Sequence, residues 1–173
     1  MHLVTAHGAE DELPAHDWRA LAEAGGTLAV YMGARTLRRG YLALADGVME
    51  EDEGTIDAPI GRDPDDPPLR AVRPDGAPAR TRFRVVERYP AASLVALELE
   101  TGRTHQVRVH LAHRGHPVLG DRWYGRRGLE LIARQALHAA RLSLAHPLTG
   151  EPLAFEAPLP ADMDALRKGL RST

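Results

Sequence analysis

The stretch from Arg80 to Glu100 does most to restrict what this chain can fold into. Arg80-Thr81-Arg82-Phe83-Arg84-Val85-Val86-Glu87-Arg88 alternates polar and apolar residues over part of its length, and Ser93-Leu94-Val95-Ala96-Leu97-Glu98-Leu99-Glu100 does so more cleanly. A period of two sends successive side chains to opposite faces, so each segment predicts a strand buried on one side. Tyr89-Pro90-Ala91-Ala92 lies between them and Thr101-Gly102 follows, which predicts an antiparallel hairpin with a defined end. A half-buried hairpin needs a second layer over its apolar face. With 173 residues, 43% of them apolar, the chain is long enough for one domain with a core and too short for two ordinary ones.

The segments around the hairpin supply that layer. Asp17 is placed to cap a helix through Trp18-Arg19-Ala20-Leu21-Ala22-Glu23-Ala24, stopped by Gly25-Gly26, and Thr27-Leu28-Ala29-Val30-Tyr31-Met32 then reads as a buried strand. Gly40-Tyr41-Leu42-Ala43-Leu44-Ala45 reads as another, ended by Asp46-Gly47. The acidic stretch that follows, with prolines at 59, 64, 67 and 68, predicts surface loop. Thr104 is placed to cap a helix from His105 to Arg114, stopped by Gly115, with Val107, Leu111 and Val109 as its buried stripe. Gly128 to His138 is compatible with helix or loop. Ala139–Leu144 and Leu153–Glu156 predict a second hairpin around 146–150, and Asp162 a cap for a last helix ending at Leu170. The expected class is α+β, a mixed, mostly antiparallel sheet with flanking helices.

Charge is unevenly spread. The net charge is −2, yet Asp46 to Leu69 holds nine acids and one base, while Thr101 to Ala145 holds eight arginines, two acids and five histidines. A basic segment in a near-neutral chain is an electrostatic footprint for phosphate. With Cys 0, a disulfide framework, a thiolate metal site and a cysteine nucleophile are all excluded. No apolar run reaches the length of a membrane span, and the residues after Met1 lack the pattern of a signal peptide, so a cytoplasmic address without membrane association is expected. His105, His110, His113 and His116 lack the carboxylate or spacing of a known zinc motif, and no metal is expected.

The run Gly102-Arg103-Thr104-His105-Gln106-Val107-Arg108-Val109-His110-Leu111 puts cations and donors on the first turns of a helix. Free N–H groups and the positive end of the dipole lie there too, so the place suits a phosphate or a carboxylate, and an ordinary solvated helix start is the plain alternative. This run, followed by Gly115-His116-Pro117-Val118-Leu119-Gly120-Asp121 and Tyr124-Gly125, resembles the hallmark of the RluA-type RNA pseudouridine synthases. The likeness extends to Tyr41-Leu42-Ala43-Leu44, to Gly54-Thr55-Ile56-Asp57-Ala58-Pro59-Ile60-Gly61-Arg62-Asp63-Pro64, to Ala79-Arg80-Thr81-Arg82-Phe83, and to Phe155-Glu156-Ala157-Pro158-Leu159-Pro160. It runs in order from about Arg38 to Leu170.

The resemblance implies conversion of uridine to pseudouridine in rRNA or tRNA, without metal or cofactor, on a base flipped out of its stack. It implies an Asp that starts the chemistry, a Tyr against the base and an Arg paired with the Asp. Tyr41 matches the Tyr and Arg108 the Arg, with Arg103, His105 and Gln106 as RNA-binding residues. The plain alternatives are a sheet-core role for Tyr41 and an ion pair of Arg108 with Glu98 or Glu100. The family's Asp lies in a His-Arg-Leu-Asp stretch upstream of the tyrosine strand, and this chain has no such stretch. The acids ahead of Tyr41 are Glu10, Asp11, Glu12, Asp17 and Glu23, of which Asp17 is the candidate substitute.

Val4-Thr5-Ala6-His7-Gly8, Asp17-Trp18, Leu21-Ala22 and Thr27-Leu28-Ala29-Val30-Tyr31-Met32-Gly33 resemble instead an internal piece of the uroporphyrinogen-III C-methyltransferases. The expected organisation is therefore a methyltransferase-like fragment over 1–37 and an incomplete pseudouridine synthase catalytic domain over 38–173, as from a joined or deleted reading frame. Two functional classes follow: an RNA uridine isomerase that uses Asp17 or some rearranged acid, and a non-catalytic RNA-binding remnant that keeps the Arg/His face.

Overall fold

The computed structural model describes residues 2–5, 28–31, 37–125, 127–146 and 149–171. Among them are ten strands and two helices: β1 (His2–Thr5), β2 (Leu28–Tyr31), β3 (Arg38–Asp46), β4 (Glu53–Asp57), β5 (Ile60–Arg62), β6 (Arg70–Val72), β7 (Arg80–Tyr89), β8 (Ala92–Leu99), α1 (Gln106–His113), β9 (Leu137–Ala145), β10 (Pro152–Glu156) and α2 (Ala161–Leu170). The chain divides into two compact units, Met1–Leu37 with Ser143–Phe155, and Arg38–Leu142 with Glu156–Thr173.

In the larger unit the sheet order is β9-β3-β8-β7-β4. The alternating hairpin forms at its centre. β7 and β8 pair antiparallel from Thr81 opposite Leu99 to Tyr89 opposite Ala92. A register shift between Val85 and Glu87 turns Val86 out to solvent, where it is exposed. β3 adds antiparallel to β8, with Tyr41 opposite Leu97, and β4 adds antiparallel to β7. Ala43, Leu44 and Ala45 are all fully buried, so both faces of β3 are covered at that end. Consecutive apolar residues there are the signature of a two-sided strand. Helix α1 packs on β6 and β7, and its Val107 and Leu111 enter one core cluster with Phe83, Val95, Leu97, and with Met163 and Leu166 of α2. Val109 closes a smaller cluster with Ile60 and Ala79.

Three expectations need correction. The acidic stretch after Gly47 is not loop throughout, since β4 and the antiparallel pair β5–β6 lie within or beside it. Its β-branched Thr55 and Ile56 find cross-strand partners in Arg82 and Thr81. Of the two readings open for Gly128 to His138, residues 128–136 take the loop, as turns ahead of β9. Thr104 is exposed and does not cap α1; the N-cap is His105, with no side-chain cap. Asp162 sits in the first turn of α2, whose N-cap is Pro160, and its carboxylate accepts from Met163 N–H and from Arg134. Gly115 does end α1, with φ 81°.

In the smaller unit β1 and β2 pair in parallel, from His2 opposite Leu28 to Thr5 opposite Tyr31. Leu28–Tyr31 is strand, as its apolar run predicts, and His2–Thr5 is a strand that the pattern does not disclose. The helix expected over 18–24, with Asp17 as its cap, lies outside the described residues. β9 and β10 are hydrogen-bonded neighbours, and the turn between them closes with His146 N–H donating to the Glu151 carbonyl at 2.7 Å.

Candidate active site

The site is assembled where β8 hands over to α1. His105 holds a left-handed backbone, φ 58° and ψ 17°, the single positive φ outside glycine among the described residues. That conformation costs an L-residue about 1–2 kcal/mol, so other contacts must hold it. Gln106 supplies them on one side. Its Oε1 accepts from Thr101 Oγ1 and from Arg103 N–H, and its Nε2 donates to the Arg80 carbonyl and to Thr81 Oγ1. Every donor and acceptor of the amide is used. Gln106 is buried and stitches α1 to β7, so the expectation that it binds RNA is corrected: it has no free group to offer.

Two residues on, Arg108 reaches Asp121. Its Nε and Nη2 donate to Asp121 Oδ2 and Oδ1 at 2.6 and 2.7 Å, and both residues are buried. This is a planar two-point grip that a lysine cannot reproduce. Asp121 is positioned by the turn after Gly120, whose φ of 73° an L-residue seldom adopts. Its Oδ1 also accepts from Trp123 and Tyr124 N–H at 3.0 and 3.2 Å. Burial pushes the Asp121 carboxyl up, but Arg108 and these two N–H groups outweigh it and hold it below the usual carboxylate range. The Arg108 guanidinium lies 4.9 Å from the ring centres of both Trp123 and Tyr124. The partner of Arg108 is therefore Asp121 and not Glu98 or Glu100; Glu100 instead meets Arg80 and Arg82, at 3.5 and 2.5 Å.

Tyr124 ties this cluster to its surroundings. Its hydroxyl accepts from Arg70 N–H at 2.9 Å and shares a 2.8 Å hydrogen bond with His105 Nδ1. Burial pushes the His105 imidazole below its ordinary range, and Arg108 and Arg70 push it further, so His105 is neutral near pH 7. With Nδ1 as acceptor, the Tyr124 hydroxyl proton points at His105 and both groups are satisfied. His110 lies deeper. Its Nε2 pairs with the Ala58 carbonyl and its Nδ1 with Thr81 Oγ1, at 2.9 and 2.8 Å. A neutral ring donating from Nε2 completes the chain Gln106–Thr81–His110–Ala58 with every link satisfied. No group of three or more His, Cys, Asp or Glu among the described residues could hold a metal.

The expected site residues are thus only partly gathered. His105, Gln106 and Arg108 share the head of α1. Arg103 is exposed, with its Nε donating to the Pro78 carbonyl. Tyr41 is half-buried on β3 and lines a groove of about 730 Å³ with Arg82, Arg84, Glu98, Arg141 and Glu156. Among the described residues no hydrogen bond, ion pair or ring contact links Tyr41 to the Arg108 cluster. Sequence reasoning missed the roles of Asp121, Trp123 and Tyr124. The signal available was an Asp at a glycine turn followed by two aromatics inside a basic segment.

A family profile described as RNA pseudouridylate synthase matches residues 23–113, more than half of the chain. The chain belongs to the RNA pseudouridylate synthase family. The matched span begins ahead of Arg38 and takes in Tyr41 and the whole of α1. Among curated relatives, an uncharacterized RNA pseudouridine synthase of Chloroflexus aurantiacus is 52% identical over 139 residues, covering 80% of this chain and 44% of the relative. The ribosomal large subunit pseudouridine synthase D of Nitrosomonas europaea is 48% identical over 158 residues, covering 87% of this chain and 46% of the relative. This family member thus spans about half the length of the curated relatives it matches. In fold it is similar to the human RNA pseudouridylate synthase domain containing 1, with TM-score 0.64 and 29% identity, covering 90% of this chain and 70% of that one.

Proposed function

We propose that this chain takes part in the isomerisation of uridine to pseudouridine in RNA, with Tyr41 against the target base and Arg108 beside the carboxylate that starts the reaction. The observation that carries this reading is the Arg108 site: a buried guanidinium fixed in plane by Asp121 and two rings, at the head of the helix that the family match includes. In the reaction the N1–C1′ bond of uridine breaks, a C5–C1′ bond forms, the hydrogen on C5 leaves as a proton and the freed N1 takes one up. Electrons balance within the substrate, so the chemistry calls for no redox cofactor. A fixed cation serves such a reaction by holding the attacking carboxylate ionised and oriented.

Asp121 is poorly suited to attack, because its oxygens are already occupied by Arg108, Trp123 and Tyr124. Two of the Arg108 nitrogens are engaged there, and Nη1 makes no hydrogen bond among the described residues, which leaves a donor edge for a second carboxylate. On sequence grounds the candidate substitute for the family's carboxylate is Asp17, which lies outside the described residues. The RNA is ribosomal or transfer RNA, with ribosomal RNA favoured by the names of the relatives, and the place of action is the cytoplasm. Arg103 and His105 contact the RNA near the target. Residues 1–37 are a methyltransferase-like fragment joined to the synthase part. The family match takes in residues 23–37 of this stretch, β2 included.

The test is release of tritium from RNA labelled at uridine C5. The intact chain is expected to release it and Asp17→Asn to lose that release. The second reading, an RNA-binding remnant without chemistry, draws on the missing His-Arg-Leu-Asp stretch. RNA binding without release from either protein would favour it.

A further inference from the structure

Trp123 borders the Arg108 site and is not itself one of the groups assigned to the reaction. It is 59% exposed, although a large apolar ring is ordinarily withdrawn from water. Its position is nonetheless fixed. Its backbone N–H is held by Asp121, its ring lies 4.9 Å from the Arg108 guanidinium, and it meets the His105 ring at 5.4 Å and an angle of 48°. The indole is not needed to hold Arg108 in place, since two hydrogen bonds to Asp121 and the Tyr124 ring already do so. A rigid exposed aromatic with arginines about it is the combination that binds unpaired nucleotides, the ring stacking on a base and the cations meeting the backbone. Arg103 and Arg122 are the exposed cations nearest in sequence to the two ends of this cluster. Tyr41, assigned to the target uridine, shares no contact with Trp123 among the described residues, so the two rings serve different nucleotides.

We propose that Trp123 is a stacking platform for an unpaired RNA base that flanks the target uridine. The proposal rests on the reading of the chain as an RNA-acting protein and adds a residue that positions the strand. The base is recognised by its π face, so the platform tolerates sequence and rejects base-paired RNA.

The chain has two tryptophans, Trp18 and Trp123, so Trp18→Phe leaves Trp123 as the single indole reporter. Titration of that protein with a short oligouridylate is expected to quench its emission. Trp123→Ala should weaken oligouridylate binding by about 5- to 150-fold, the worth of one stacked base, and Trp123→Phe should restore most of it. Binding of a blunt RNA duplex should be the same in all three. Oligouridylate that binds without quenching overturns the proposal, as does unchanged affinity in Trp123→Ala, and both leave the RNA reading intact. Failure of any RNA to bind overturns both readings. Should Trp123→Ala not fold, the quenching measurement on the Trp18→Phe protein decides alone.

Discussion

Arg108 and Asp121 are each costly to bury alone, and the structure buries them together. Two short hydrogen bonds and the two backbone N–H groups on Asp121 offset the loss of water. Removal of one partner strands the other, so Asp121→Asn should destabilise the fold by about 3–5 kcal/mol in denaturant titration. A loss below about 1 kcal/mol would mean that the pair does not hold this corner together. Arg108 stands out in the sequence as a functional candidate, but its partner does not, because thirteen residues separate the two and only the turn at Gly120 brings them together. Gln106 is misread from sequence for a related reason. A polar residue on the first turn of a helix reads as surface, and nothing local discloses that β7 presents the Arg80 carbonyl and Thr81 hydroxyl to it.

Helix α1 shows why apolar periodicity alone undersells a buried element. Val107, Val109 and Leu111 are buried as the pattern predicts, but Gln106, Arg108 and His110 are buried beside them. Each of those polar residues is sheltered by a specific partner and not by apolar character. His110 gives this a measurable consequence. Burial pushes its imidazole below the ordinary 6.5, so the folded state keeps it neutral while an unfolded chain takes up a proton. Its contribution is therefore complete above pH 6.5 and is lost as pH falls towards the folded value, and His105 acts in the same sense. Melting temperature should drop with acidification below pH 6.5, and the slope should be shallower in His110→Asn. An equal slope in that variant would remove His110 from the account. The alternating hairpin, by contrast, is legible in the sequence itself, because the strands on both sides need only a period of two.

Across the whole chain, the acidic and basic segments separate what composition averages away. A net charge of −2 argues against a nucleic-acid partner, yet the eight arginines between Thr101 and Ala145 include the ones that build the site. If that segment meets RNA, affinity should fall steeply with added salt, by a logarithmic slope of about −0.7 for each phosphate neutralised on a single strand. A flat response would contradict the footprint. The family and the α+β class are readable from ordered motifs spread along the sequence. Which strands share an edge is not, because β4 is pinned by β7, and β5 and β6 by each other, and not by their own acidic, proline-rich composition.

The most direct measurement is tritium release from RNA labelled at uridine C5, made on the intact chain and on its Asp17→Asn and Arg108→Lys variants. The account predicts release by the intact chain, its loss in Asp17→Asn and a severe reduction in Arg108→Lys. An intact chain that binds RNA and releases no tritium would contradict it.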